Sequence, residues 1–154
     1  MPDGPSPEHV AAWRALLVAH ADLTEGIDAA LREAGVVPLR WYDALLALYE
    51  ARGRRLRLAE MARAALLSRS GLSRLVDRLE EAGLLTREPC EDDARGAYAV
   101  LTPDGLQALR RCWRFYGAEI EARVGRRISP AEARTLRGLL GRLVEGEAAR
   151  ARPA

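Results

Sequence analysis

A chain of 154 residues with 24 basic and 22 acidic side chains, a formal net charge of +2, is long enough to bury one sizeable core and too short to suggest more than one domain. Two cysteines make no secreted disulfide framework, and the opening MPDGPSPEHV lacks the basic start and apolar run of a signal peptide. No apolar run approaches the ~18 residues of a membrane-spanning helix, so the expected setting is a reducing cytoplasm, with no membrane partner.

Val10, Trp13, Leu17, His20, Thr24, Ile27 and Leu31 recur at steps of three and four behind Ser6-Pro7 and ahead of Gly35, which predicts a long first helix. Pro38 opens a second, LRWYDALLALYEA, with Trp41, Leu45, Leu48 and Tyr49 on one face until Gly53 interrupts. The basic run RGRRLR leads into a short third helix over roughly 58–65. From Arg52 to Arg78 eight arginines stand against Glu60 and Asp77 alone, so the charge is concentrated here although the chain as a whole is nearly neutral. Every basic residue is Arg, for which GC-rich codon usage is the first explanation and forked phosphate or guanine recognition the second.

A fourth helix is expected from about Ser68 to Ala82, where Ser68 or Ser70 can accept from the free N–H groups of the first turn and Gly83 supplies a left-handed stop. Leu72, Leu75, Val76 and Leu79 must face the core, which leaves Arg69, Ser70, Ser73, Arg74, Asp77 and Arg78 outside. LLTRE and AYAVL are β-prone runs joined by the loop PCEDDARG, the one place where strand alternation is expected. Thr102-Pro103 caps a fifth helix with a near-heptad stripe of Leu106, Leu109, Trp113, Tyr116, Ile120 and Val124. Ser129-Pro130-Ala131-Glu132 is a capping box that opens a sixth helix, with Leu136, Leu139, Leu140, Leu143 and Val144 inside. The tails, 1–6 and 149–154, read as disordered.

Two helices joined by a tight turn and followed by a β-hairpin describe a winged helix-turn-helix. The fold class is therefore mainly α with one β-hairpin, a winged helix-turn-helix with added N- and C-terminal helices. Helices 1, 5 and 6 carry more apolar stripe than so small a winged core covers, so they are expected to pack together and against a second copy, making a homodimer.

Over LSRSGLSRLVDRLEEAGLLTR, EDDARG and LTPDG, and in the order of elements along nearly the whole chain, the sequence resembles the MarR-type transcriptional regulators. The resemblance implies one domain over 1–154, with a DNA-binding lobe at about 38–102 and dimerisation helices at about 7–35 and 103–148. It implies a double-stranded operator as partner, read by a homodimer that represses more often than it activates. It also implies that Ser68, Ser70, Ser73, Arg74 and Arg78 face DNA, and that Arg95 at the wing tip enters the minor groove. Asp93 would brace Arg95 or a neighbouring basic residue, and Arg87 sits where the family commonly has a basic strand residue; the resemblance thus counts both with the DNA-contacting set. Ala59 departs from the pattern, standing where a Ser or Thr cap for the third helix is expected. Many relatives hold a small aromatic or anionic effector between the dimerisation helices and the DNA-binding lobe, for which Trp13, His20, Arg40, Trp41 and Tyr42 are the candidates. An oxidant-sensing branch uses a cysteine in the first helix; Cys90 and Cys112 lie elsewhere, which makes a thiol-based redox regulator the lesser reading, with Cys112 a small buried hydrophobe.

Blander readings stand beside these. Arg74 and Arg78 also fit a solvated helix face paired with Asp77, Asp93 and Arg95 fit an ordinary turn, and aromatic residues at helical spacing fit a core. Arg52, Arg54, Arg55 and Arg57 divide evenly between phosphate contacts and solvated charge. A winged-helix module that binds protein instead of DNA would carry an apolar patch on the outer face of the fourth helix, where this chain has Arg, Ser and Asp. Catalysis and metal binding find no support: there is no Cys-x-x-Cys, His-Glu-x-x-His, Gly-x-Ser-x-Gly or phosphate-cradling glycine loop, and His9 and His20 are the only histidines. No cofactor is expected.

Overall fold

The computed structural model describes the backbone of residues 4–64, 69–90 and 93–150, and the side chains of 4–61, 71–90 and 96–144. Helix α1 (Pro7–Glu33) starts where Ser6 accepts a hydrogen bond from the His9 N–H at 3.4 Å. Ser6 thus belongs to the helix cap and not to a loose tail. Helix α2 (Leu39–Glu50) has no capping side chain of its own at Pro38. Instead, the Leu39 N–H donates to Asp28 Oδ1 of α1 at 2.9 Å. That long-range cap fixes the α1–α2 corner and brings Ile27 and Leu31 against the buried Tyr42, Ala44, Leu45 and Leu48. The buried face of α2 is rotated from the expected one: Tyr42 is in the core, Trp41 is only partly buried and Tyr49 is exposed.

The basic run contains a strand that alternation alone does not reveal, because β1 (Arg55–Arg57) is only three residues long and two of them are Arg. Helix α3 (Leu58–Ala64) follows at once. At its start Glu60 Oε2 accepts from the Arg57 N–H at 3.0 Å, the carboxylate half of a capping box at the positive end of the helix. Helix α4 (Arg69–Glu81) is poor in strong helix formers in its first turns, with Ser, Gly and Ser at 70, 71 and 73. Packing outweighs propensity there, since Leu72, Leu75, Val76 and Leu79 are all buried, each contributing up to about 1.5–3 kcal/mol. Gly83 stops the helix at φ +71°, a conformation that lets the Leu84 N–H reach back to the Leu79 carbonyl at 2.9 Å.

Strands β2 (Leu85–Cys90) and β3 (Asp93–Leu101) run well into the segment expected as loop and form with β1 an antiparallel sheet of order β1-β3-β2. Helix α5 (Pro103–Ile120) begins at Thr102, whose hydroxyl accepts from the Gly105 N–H at 3.0 Å and donates to the Gly83 carbonyl at 2.7 Å. A single residue therefore ties the start of α5 to the stop of α4. The core-facing residues of α5 are Gly105, Ala108, Leu109 and Cys112. Trp113, on the expected apolar stripe, is 53% exposed.

The chain divides into two compact units, Met1–Tyr116 and Gly117–Ala154. The first holds α1 to α4, the sheet and most of α5 around one hydrophobic cluster. In the second, α5 passes through a widened π turn at Glu121–Gly125 and then, after the Ser129–Glu132 capping box (Ser129 N–H to Glu132 Oε2, 2.8 Å), into α6 (Pro130–Arg150). Helix α6 continues past the point where a tail is expected to begin. Val124, Ile128, Ala133, Leu136, Leu140 and Val144 line an open apolar trough of about 560 Å³ within this unit. Leu136, Leu139, Leu143 and Val144, expected inside, are exposed in the single chain.

Candidate nucleic-acid interface

Helix α4 has 13 residues, a length of about 20 Å, and a major groove about 12 Å wide admits such a helix. Its 3.6-residue period sends four side chains to the core and leaves Ser73, Arg74, Asp77 and Arg78 exposed. Neither Arg74 nor Arg78 is in an ion pair among the described residues. Asp77, the partner that a solvated-face reading gives them, is engaged elsewhere.

That engagement is with Arg87. The β2–β3 register pairs Arg87 with Ala99 and Leu85 with Leu101, so Arg87 shares the core-facing side of the sheet and points at α4. Its guanidinium forms ion pairs with both Asp77 and Glu80, while its backbone N–H donates to Glu80 Oε1 at 3.0 Å. Burial opposes the charge on Arg87, but the hydrogen bonds and attraction of the two carboxylates outweigh it and raise its pKa. The cluster pairs the exposed Asp77 with a cation from the sheet and clamps α4 to that sheet. Glu80 was missed by the sequence reading; its only signal is an acidic pair one helical turn apart ahead of a basic strand residue.

At the end of the hairpin the register slips: Pro89 faces Ala97 but Cys90 faces Asp93. The backbone at 94–96 therefore stands outside the regular ladder, a bulge of the kind that re-aims side chains. Asp93 and Arg95 lie at this bulge in β3, with side chains outside the described set. The side chain of Ser70 is likewise outside it, although its backbone lies in α4, and Ser68 falls outside the described residues altogether.

The residues expected to line an effector site are dispersed along α1 and α2. Trp13 and His20 are exposed on α1, Arg40 is exposed at the start of α2, Trp41 is half-buried and Tyr42 is in the core. Tyr42 is the centre of an aromatic group: its ring lies 6.4 Å from Trp113, nearly parallel, and 4.8 Å from Tyr116, edge-on. Burial, reinforced by Tyr116, pushes the Tyr42 hydroxyl up to about 12, and burial pushes the neighbouring Cys112 thiol up to about 11. The Cys112 S–H donates to the Val37 carbonyl at 3.6 Å, so it behaves as a packed, protonated thiol. Among the described residues no cluster of three or more His, Cys, Asp or Glu is placed to hold a metal ion, and no helix is long and apolar enough to cross a membrane.

Residues 37–96 match the sequence model of the MarR family. The chain is 32% identical over 73 residues to the multiple antibiotic resistance protein MarR of Salmonella typhimurium, covering 47% of this chain and 51% of that one. The matched part spans about half the length of the curated relatives. Two solved structures from Streptomyces coelicolor match over nearly their whole length. The MarR family transcriptional regulator AbsC has 30% identity and a TM-score of 0.84, covering 96% of this chain and 99% of that one. Sco3205, solved in complex with DNA, has 33% identity and a TM-score of 0.85, covering 94% and 91%. With its winged-helix sheet, its outward-facing α4 and this agreement in sequence and fold, the chain belongs to the MarR family of transcriptional regulators.

Proposed function

We propose that the protein binds a pseudo-palindromic operator as a homodimer and represses transcription until a small aromatic or anionic effector releases it. The observation that carries the DNA reading is the outer face of α4. Ser73, Arg74 and Arg78 project there with no ion-pair partner among the described residues, while Asp77 is neutralised from behind by Arg87. The face presents forked donors to base edges and phosphates, and its acid, Asp77, is paired with Arg87. The DNA complex of Sco3205 supports the same use of the fold. In this reading residues 38–102 form the DNA-binding lobe, and Ser68, Ser70, Asp93 and Arg95 serve DNA binding alongside the α4 face. Arg87 positions α4 and does not itself touch phosphate.

Dimerisation is supported by unpartnered apolar faces in both units, Val10, Trp13 and Leu17 on α1 and Leu136, Leu143 and Val144 on α6. The effector reading rests on the aromatic group at Tyr42; Trp13, His20, Arg40 and Trp41 are its further candidates. Selection of bound sequences from random duplex DNA tests the whole proposal. An enriched inverted repeat is expected; recovery of no motif above background at near-physiological salt overturns it.

A further inference from the structure

The outward face of the sheet carries a second group of arginines that α4 does not use. Leu85 and Ala99 are buried and Leu56 is packed against the core. Strand alternation therefore puts Arg55 and Arg57 on the opposite face of β1. There the register sets Arg57 beside Tyr98 and Arg55 beside Val100. The Arg55 guanidinium lies 3.9 Å from the centre of the Tyr98 ring, that of Arg57 lies 5.6 Å away, and Arg57 Nε donates to the Tyr98 hydroxyl at 3.4 Å. Just upstream, Arg54 holds its guanidinium 5.6 Å from the Tyr49 ring. It does so from φ +55°, and among the described residues it is the one non-glycine with positive φ. A side chain other than Gly, Asn or Asp is disfavoured in that conformation, and such outliers are worth reading for function.

The Tyr49 and Tyr98 rings lie against the guanidinium groups of the exposed Arg54 and Arg55, an arrangement that binds phosphate oxygens with little further ordering. Glu88 is an exposed carboxylate 3.7 Å from Arg55, and an exposed pair of that kind holds the arginine only weakly. The sheet's other face holds α4 through Arg87. A duplex that receives α4 and the hairpin therefore meets the outward face only with base pairs beyond the hairpin.

We propose that the Arg54–Arg55–Tyr98 face binds the phosphate backbone of duplex DNA flanking the operator, extending contact past the hairpin without reading bases. The proposal rests on operator binding as argued above. Its test uses a selected inverted repeat in two forms, one trimmed at the hairpin contacts and one extended on each side by about 15 base pairs, one and a half turns, of arbitrary sequence. The wild-type protein is expected to bind the extended duplex more tightly, whatever the flanking sequence, with a salt slope steeper by about 0.9 for each added phosphate contact. A variant with Arg54→Gly and Arg55→Gln should bind the extended duplex no better than the trimmed one and keep its affinity for the trimmed one. Arg54→Gly also relieves the left-handed backbone, so the loss is not one of folding, and Arg55→Lys should restore part of the difference. Equal wild-type binding to both duplexes, or a double variant that still prefers the extended form, overturns the flanking contact while operator binding stands. Failure of the wild type to bind either duplex removes both.

Discussion

Replacing Arg87 by Gln leaves the carboxylates of Asp77 and Glu80 one helical turn apart with no cation between them. Because the Arg87 side chain is 30% exposed, the cost lies between that of a surface pair and a buried one, about 1–2 kcal/mol of unfolding free energy in a denaturant titration. Operator affinity should fall as well, since α4 is then less firmly held. The salt slope decides how: an arginine already neutralised by two acids leaves the slope unchanged on removal, whereas loss of a phosphate contact lowers it by about 0.9. A lowered slope would return Arg87 to the DNA-contacting set. Titration supplies a second prediction at this scale. An acid whose pKa is raised by folding adds stability below its unfolded pKa and loses it as pH climbs to the folded one. Cys112 rises from 9.0 to about 11 and Tyr42 from 10.0 to about 12. Unfolding free energy should therefore be insensitive to these groups at neutral pH and decline from about pH 9, by on the order of 2 kcal/mol for each group by the upper end of its window. Cys112→Ala, compared with wild type across pH 8–12 by chemical denaturation, should remove the part of the decline that starts at pH 9. A wild-type curve flat to pH 11 would show that the thiol is not packed as described.

The two glycines around the α4 stop separate backbone conformation from close packing. Gly83 stands at φ +71° with open space where a Cβ would go, so Gly83→Ala should cost only the left-handed penalty, about 1–2 kcal/mol. Gly105 has ordinary φ, but an added Cβ would lie 2.0 Å from the Leu84 carbonyl oxygen. Gly105→Ala must push α5 away from Leu84 and Leu101, and a loss of about 1–3 kcal/mol, typical of overpacking, is expected. Thermal melts of both variants rank the effects; equal melting temperatures would mean that the Thr102 junction gives way easily. Most elements were legible in the sequence because their signals are local: the α4 stripe, Gly83, the Thr102 cap and the Ser129 box each lie within a few residues. What escaped depends on pairing at long range. β1 is defined by β3 some forty residues later, the α2 cap comes from Asp28, and the register slip at Pro89 is set by both strands together. The same holds for the candidate site, where the outward arginines of α4 follow from periodicity but the Arg87 clamp needs the hairpin folded back.

For the whole molecule, the proposed dimer makes the clearest demand. Leu136→Glu places a carboxylate on the exposed apolar face of α6 and should shift light scattering at micromolar concentration toward the monomer, with operator affinity falling in parallel. Since Leu136 is already exposed in the single chain, the fold itself should survive, and far-ultraviolet circular dichroism checks that. A wild-type monomer that binds its operator one copy at a time would end the dimer reading. The apolar stripes on α1 and α6 were legible, but their destination was not: a periodic sequence shows that a face is apolar and leaves open whether its own chain covers it.

The edges of the small sheet carry a consequence for solubility. An uncovered strand invites pairing with a neighbouring molecule, and this sheet has two edge strands, β1 and β2. One is only three residues long with arginines at both ends. The other contains Pro89, which has no N–H to offer an incoming strand. Both edges are thus poor templates for edge-to-edge association. Pro89→Thr would restore a donor and a β-favouring side chain to the longer edge. In concentrated stocks that variant should cloud earlier than the parent protein on prolonged storage, at unchanged melting temperature.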